Sequence, residues 1–171
     1  MIEIDLFDDR YQEGVVDVIL PIQQKEFGIP ITLGDQPDLI DIPGFYRKGK
    51  GNFWVALQGR EVVGTIALID LGRGQGALRK MFVKKTYRGE GFRVADALLK
   101  TLMNWCRDQN VHQVFLGTTE KFLAAHRFYE KKGFSHIDKS DLPPGFPIMV
   151  VDTKFYTIET MNYQVEDTHG S

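Results

Sequence analysis

The chain has 171 residues, 43% hydrophobic and 26% charged, enough to fill a substantial core without crosslinks and ordinary for a globular protein. A formal net charge of −2 excludes a global basic field for nucleic acid, and the single cysteine excludes an internal disulfide. No apolar stretch of about 18 residues and no charged-plus-apolar leader is present. The simplest expectation is one cytoplasmic domain over residues 1–165 with no membrane span, followed by a polar, disordered tail at 166–171.

Residues 2–7 alternate and read as a strand. Residues 11–27 read as a helix on Val15, Val16, Ile19 and Leu20, with Pro21 a kink or break. Residues 28–50 are rich in Pro, Gly and Asp and form a long loop with a short helix around 37–40; a loop of that length in a compact domain is functional or mobile. Runs 53–57 and 62–68 flank the turn residues 58–61 as a hairpin. A second glycine-rich turn at 71–76 leads into an apolar strand at 78–83. The run 94–107 is an amphipathic helix with Val94, Leu98, Leu102 and Trp105 on its core stripe, and Cys106 is a buried thiol rather than a nucleophile. A strand at 111–117, a helix at 120–131 stopped by Gly133, and a long closing strand at 148–164 complete the chain. The strand–helix–strand order requires strands 78–83 and 111–117 to pair in parallel through a right-handed crossover.

Between the strand at 78–83 and the helix at 94 lies Tyr87-Arg88-Gly89-Glu90-Gly91-Phe92-Arg93. Two glycines one residue apart at a strand-to-helix corner let backbone N–H groups converge where the helix N-terminus carries partial positive charge, an arrangement that binds phosphate. A dinucleotide fingerprint needs a third glycine where Val94 stands, and no P-loop pattern occurs. Downstream, Ala124-Ala125-His126-Arg127-Phe128-Tyr129-Glu130-Lys131-Lys132-Gly133-Phe134 ends a helix at a glycine.

These two motifs, in this order with a strand between them, resemble the GNAT superfamily of N-acetyltransferases. The first matches that family's acyl-CoA loop Q/R-x-x-G-x-G/A, laid on residues 86–91 with Thr86 as a departure. The second matches its A-x-x-F-Y-E-K-x-G-F helix end. The resemblance spans about residues 75–137 and implies an α/β fold with a central, mixed, mostly antiparallel sheet, a splayed parallel strand pair and helices on both faces. It implies acetyl-CoA as cosubstrate, with coenzyme A released and no metal. The pantetheine arm would pair with the main chain of Met81, Phe82 and Val83. The pyrophosphate would take the loop Arg88, Gly89, Glu90, Gly91, Phe92 and Arg93, with Arg88 and Arg93 adding charge-assisted bonds. Family members carry a small residue where Arg93 stands. Tyr129 would be the general acid for the leaving thiolate.

The general base is not fixed by the resemblance. The family's glutamate falls on Ala77, leaving Asp70, Glu26, His126 or water alone. Phe122 stands where many relatives carry a cofactor-contacting Asn. The expected activity is acetyl transfer to a primary amine of a small molecule or peptide by direct attack. The alternative is a non-catalytic acyl-CoA sensor of the same fold. Asp35, Asp38 and Asp41, with Tyr46, are either a solvated loop face or one wall for a cationic acceptor, and the Pro-rich residues 141–147 would form another wall. Nucleic acid and membrane partners are not expected, and a homodimer is left open.

Overall fold

The computed structural model describes residues 1–89 and 91–164; the predicted tail and Glu90 lie outside the described residues. The elements are β1 (Ile2–Leu6), α1 (Gln12–Pro21) continued by a π-helical turn (Ile22–Glu26), α2 (Pro37–Ile40), α3 (Ile42–Tyr46), β2 (Asn52–Gln58), β3 (Glu61–Gly72), β4 (Gln75–Val83), α4 (Val94–Asp108), β5 (Gln113–Thr118), α5 (Leu123–Lys131), β6 (Ser135–Ile137) and β7 (Lys154–Glu159). The strands form a seven-stranded sheet in the order β1-β2-β3-β4-β5-β7-β6. β4 and β5 are parallel, and β1–β2, β2–β3, β5–β7 and β6–β7 are antiparallel. This is the mixed, mostly antiparallel sheet the sequence predicts.

The chain divides into two compact units: Met1–Asp70 with Leu78–Leu102, and Leu71–Ala77 with the residues from Met103 onward. In the first unit, Val15, Val18 and Ile19 of α1 join Phe53, Val55 and Leu57 of β2 in one hydrophobic core. A β-bulge shifts the β2–β3 register between Ala56 and Leu57, so Gly64 pairs with Ala56 and Val62 with Leu57. The extra residue, Val63, puts Val62 and Gly64 on opposite faces. A Cβ at Gly14 of α1 would stand 2.7 Å from Val62, and one at Gly64 would stand 3.0 Å from Val94 and 3.1 Å from Leu98 of α4. The two helices therefore cover the two faces of the hairpin.

In the second unit, Gln75, Gly76 and Ala77 pair in parallel with Gln113, Val114 and Phe115. The parallel pairing thus begins three residues earlier on β4 than the predicted strand 78–83, because β4 starts directly after the tight turn at Arg73 and Gly74. The closing strand is shorter than predicted. Asp152 accepts from Met149 N (2.9 Å) and folds the preceding residues into a turn, and Thr153 N reaches Thr118 O, so β7 begins only at Lys154. The three-residue β6, absent from the sequence reading, pairs with β7 at Thr157, Tyr156 and Phe155.

α5 opens at Leu123, three residues later than predicted, and Gly133 at φ 101° ends it as expected. On α4 the fully buried seats are Leu98, Leu99, Leu102, Met103 and Cys106, and Trp105 is only half-buried. No helix among the described residues is long and apolar enough to cross a membrane.

Candidate active site

The strand that leads to the site carries a distortion. Lys80 sits in the middle of β4 with φ 53°, a left-handed backbone in an otherwise extended run. Its carbonyl accepts from Thr65 Oγ1 of β3 at 2.6 Å. Its side chain is nearly fully buried and donates to Gln36 Oε1 at 2.6 Å, with Asp38 Oδ2 at 3.6 Å. Tyr46 donates its hydroxyl to the same Asp38 oxygen at 2.5 Å. Gln36 in turn donates to Gln23 Oε1 at 2.9 Å. Burial, first of all, drives the Tyr46 phenol well above its usual range.

The acidic loop is thereby split: Asp38 fits neither sequence reading, whereas Asp35 and Asp41 sit at the surface as the solvated reading has them. Asp38 is sealed in this buried network. Asp35 accepts from both N and Oγ1 of Thr32, and Asp41 caps α3 through Gly44 N. Asp38 is thus withdrawn from any acceptor wall, while Asp35 and Asp41 remain exposed. Only a left-handed residue in mid-strand brings Lys80 to Asp38, and no local sequence signal announces that.

Beyond Lys80 the main chain alternates. The Phe82 carbonyl lies against Gly64 of β3, and Lys84 N donates to Val63 O at 2.8 Å. Extended geometry then directs the main-chain groups of Met81 and Val83 to the other edge of β4. The Phe82 side chain rests on the α1 core.

The glycine loop follows. Gly89 has φ 109°, a conformation open to glycine and costly for other residues. A Cβ at Gly89 or at Gly91 would meet nothing within 4 Å. Crowding by the chain itself therefore explains neither glycine, and the space above them stands open. The loop is pinned at both ends: Arg88 N reaches Lys85 O and Arg93 N reaches Gly89 O, each at 3.3 Å. The main-chain N–H groups of Gly89, Gly91 and Phe92 lie between these pins. The first turn of α4, a helix of 15 residues, adds N–H groups without intrahelical acceptors and its positive dipole end. Tyr87 and Phe92 close the loop edge-to-face at 5.1 Å. Arg93 itself is left-handed, at φ 52°, at the position where the resembled family carries a small residue.

Arg88 does not point outward. Its Nε donates to Val83 O at 2.8 Å, and its two Nη groups grip both oxygens of Glu26 at 2.5 and 2.8 Å. That bidentate bond, first of all, holds the Glu26 carboxyl below its usual range. The other base candidates are also committed. Asp70 accepts from Lys50 N at 2.9 Å, and His126, 6% exposed, shares 2.9 Å with the Thr119 carbonyl through Nε2.

In the second unit, Tyr129 is 4% exposed, edge-on to Phe134 at 5.4 Å and to Phe128 at 5.7 Å. Burial pushes its phenol well above the ordinary value, so it stays protonated across the physiological range. Its neighbour Tyr156 donates to Glu130 Oε2 at 2.5 Å. Among the described residues no three His, Cys, Asp or Glu side chains gather to hold a metal ion.

The arrangement has relatives. The model of the acetyltransferase (GNAT) family matches residues 16–134. An acetyltransferase of the GNAT family from Staphylococcus aureus superposes with a TM-score of 0.90 at 40% identity, covering 94% of this chain and 99% of that one. The N-acetylaspartate synthetase of Rattus norvegicus is 32% identical over 133 residues, 75% of this chain and 44% of the relative, so the chain spans less than half the length of that relative. The PaiA N-acetyltransferase of Thermoplasma acidophilum in complex with coenzyme A shares the fold at a TM-score of 0.71 and 15% identity, covering 93% of this chain and 99% of that one. The chain belongs to the GNAT family of acetyltransferases and carries the family's fold from its first strand to its last.

Proposed function

We propose that this chain transfers an acetyl group from acetyl-CoA to the primary amine of a small molecule or peptide, acting in the cytoplasm. The observation that carries the reading is the open cradle at Gly89 and Gly91, where side chains would meet nothing of the protein but would occupy the space of a pyrophosphate at the α4 N-terminus. Met81 and Val83 offer the main-chain edge along which the pantetheine amides would pair.

Direct attack needs no covalent enzyme intermediate. The amine nitrogen adds to the thioester carbonyl, the C–S bond breaks as the tetrahedral intermediate collapses, and the departing thiolate takes a proton through the Tyr129 hydroxyl. The proton lost by the amine passes to water and from there restores the hydroxyl. An amine partly neutral near pH 8 needs little more, because binding both reactants at one site supplies much of the rate. The commitments of Asp70, Glu26 and His126 favour this base-light scheme. Burial of Asp38 weakens the sequence argument for a cationic acceptor, and the name of the rat relative directs attention to amino-acid amines.

The test is a pair of measurements on one sample: calorimetric titration with coenzyme A, then thiol release from acetyl-CoA with a panel of amines. Gly91→Val should cut coenzyme A affinity at least about 30-fold with an unchanged melting temperature, since a β-branched side chain there blocks backbone approach. Retained affinity would remove the cradle from the mechanism. Binding without amine-dependent thiol release would favour the sensor alternative.

A further inference from the structure

Among the cavities, charged clusters and unused titratable groups of the molecule, the Arg88–Glu26 pair reaches furthest. Arg88 stands inside the loop proposed to hold the pyrophosphate, yet each of its three guanidinium nitrogens already bonds the protein. Nε holds the last carbonyl of β4, at Val83, and the fork closes on Glu26. Glu26 ends the π-helical turn Ile22–Glu26, where Phe27 N bonds Ile22 O at 3.1 Å, five residues back. That wide turn follows Pro21, which has no N–H to continue the helical ladder. One side chain thus ties three segments together: the wide turn after α1, the end of β4, and the glycine loop.

We propose that Glu26 and Arg88 are positioning residues, a pair that holds the glycine loop open in its phosphate-ready shape, with the phosphate contacts left to the main chain and the α4 N-terminus. This rests on the cosubstrate reading above and deepens it. The geometry separates three roles. A guanidinium serving as phosphate ligand is better placed without a carboxylate across both of its Nη groups. A carboxylate serving as general base is better placed without a bidentate cation holding it. A clamp needs both, and both are present. The side chains are 36% and 24% exposed, so the pair is partly screened, and its contribution to the loop is modest rather than architectural.

The test is a double-mutant cycle on coenzyme A affinity, with turnover and melting temperature measured alongside. Glu26→Gln and Arg88→Met should each weaken binding about fivefold to tenfold, and the double variant should be no weaker than Arg88→Met alone, which already removes the Glu26 bond together with the Val83 bond. Turnover at saturating acetyl-CoA should stay within about threefold, and Arg88→Lys, which cannot grip both oxygens, should fall between wild type and Arg88→Met. Tighter coenzyme A binding by Glu26→Gln would make Arg88 a phosphate ligand and overturn the clamp. A collapse of turnover at unchanged affinity would make Glu26 the base and overturn it equally. Losses that multiply in the double variant, or no losses at all, would also overturn it. A wild-type chain that binds no coenzyme A would overturn the cosubstrate reading and the clamp with it, whereas a binding wild type with indifferent variants would overturn the clamp alone.

Discussion

Burial sets what the Tyr129 side chain can do. With its phenol pushed up by desolvation it keeps its proton at any pH at which the protein works, and because a raised phenol is a weaker acid than a thiol, the part open to it in the proposed reaction is hydrogen-bond donor to the departing thiolate and relay for the amine's proton, not net proton source. Tyr129→Phe should therefore lower turnover about 100-fold while leaving acetyl-CoA affinity within about twofold, a split that steady-state kinetics and calorimetry read separately. Unchanged turnover would take Tyr129 out of the mechanism. Its place on α5 was legible in the sequence because the helix ends in a recognisable run with Gly133. His126 was only half legible: its position was right, but its bond to the Thr119 carbonyl follows from how the chain turns into α5, which spacing does not reveal.

Among the elements, β4 carries the least legible feature. An apolar run predicts an extended strand, and the strand is there; the left-handed Lys80 within it is not a property of that run. It is held by long-range partners on a loop more than 40 positions away, and these turn one acidic residue, Asp38, from part of a candidate acceptor wall into internal structure. Lys80 and Asp38 have side chains 3% and 6% exposed, so removing one charge leaves the other stranded. Lys80→Met should destabilise the protein by about 3–5 kcal/mol, and Lys80→Met with Asp38→Leu should recover part of that, because the paired removal strands no charge. Urea unfolding measures both, and a double variant less stable than the single would contradict the pairing. The glycine loop lies at the other extreme. Its shape was readable from six residues because backbone approach at a helix N-terminus makes local demands on sequence, and the left-handed Gly89 meets them.

At the scale of the whole molecule, several buried acids are held protonated at high pH: Tyr46 and Tyr129, both raised by burial, Cys106, pushed up to about 12, and Tyr156 and Tyr11, raised as well. In each case the folded value lies above the unfolded one. The stability they contribute is complete below the unfolded values of about 9 for the thiol and about 10 for the phenols. It is lost as pH rises, because the unfolded chain releases protons that the folded chain retains. Urea midpoints should stay level to about pH 8.5 and fall steadily above it, and Cys106→Ala should remove only part of the fall, since the buried tyrosines remain. A level profile to pH about 11 would contradict the burial of these groups. Their positions also explain why the fold class was accessible before the details were. The large apolar residues recur at helix and strand periods and fix which faces meet, whereas the register of β4 on β5 and the short β6 depend on turns a few residues long.

Cys106 has one more consequence, a practical one. It is the chain's single cysteine, 0% exposed on the buried side of α4, with its thiol held neutral. A neutral, enclosed thiol neither exchanges nor alkylates at a useful rate. The native sequence is therefore already a silent background for site-directed labelling. A cysteine placed at an open position, such as the fully exposed Val150, would be the chain's one reactive thiol, ready for a fluorophore, a spin label or a surface tether without any prior substitution to clear the background.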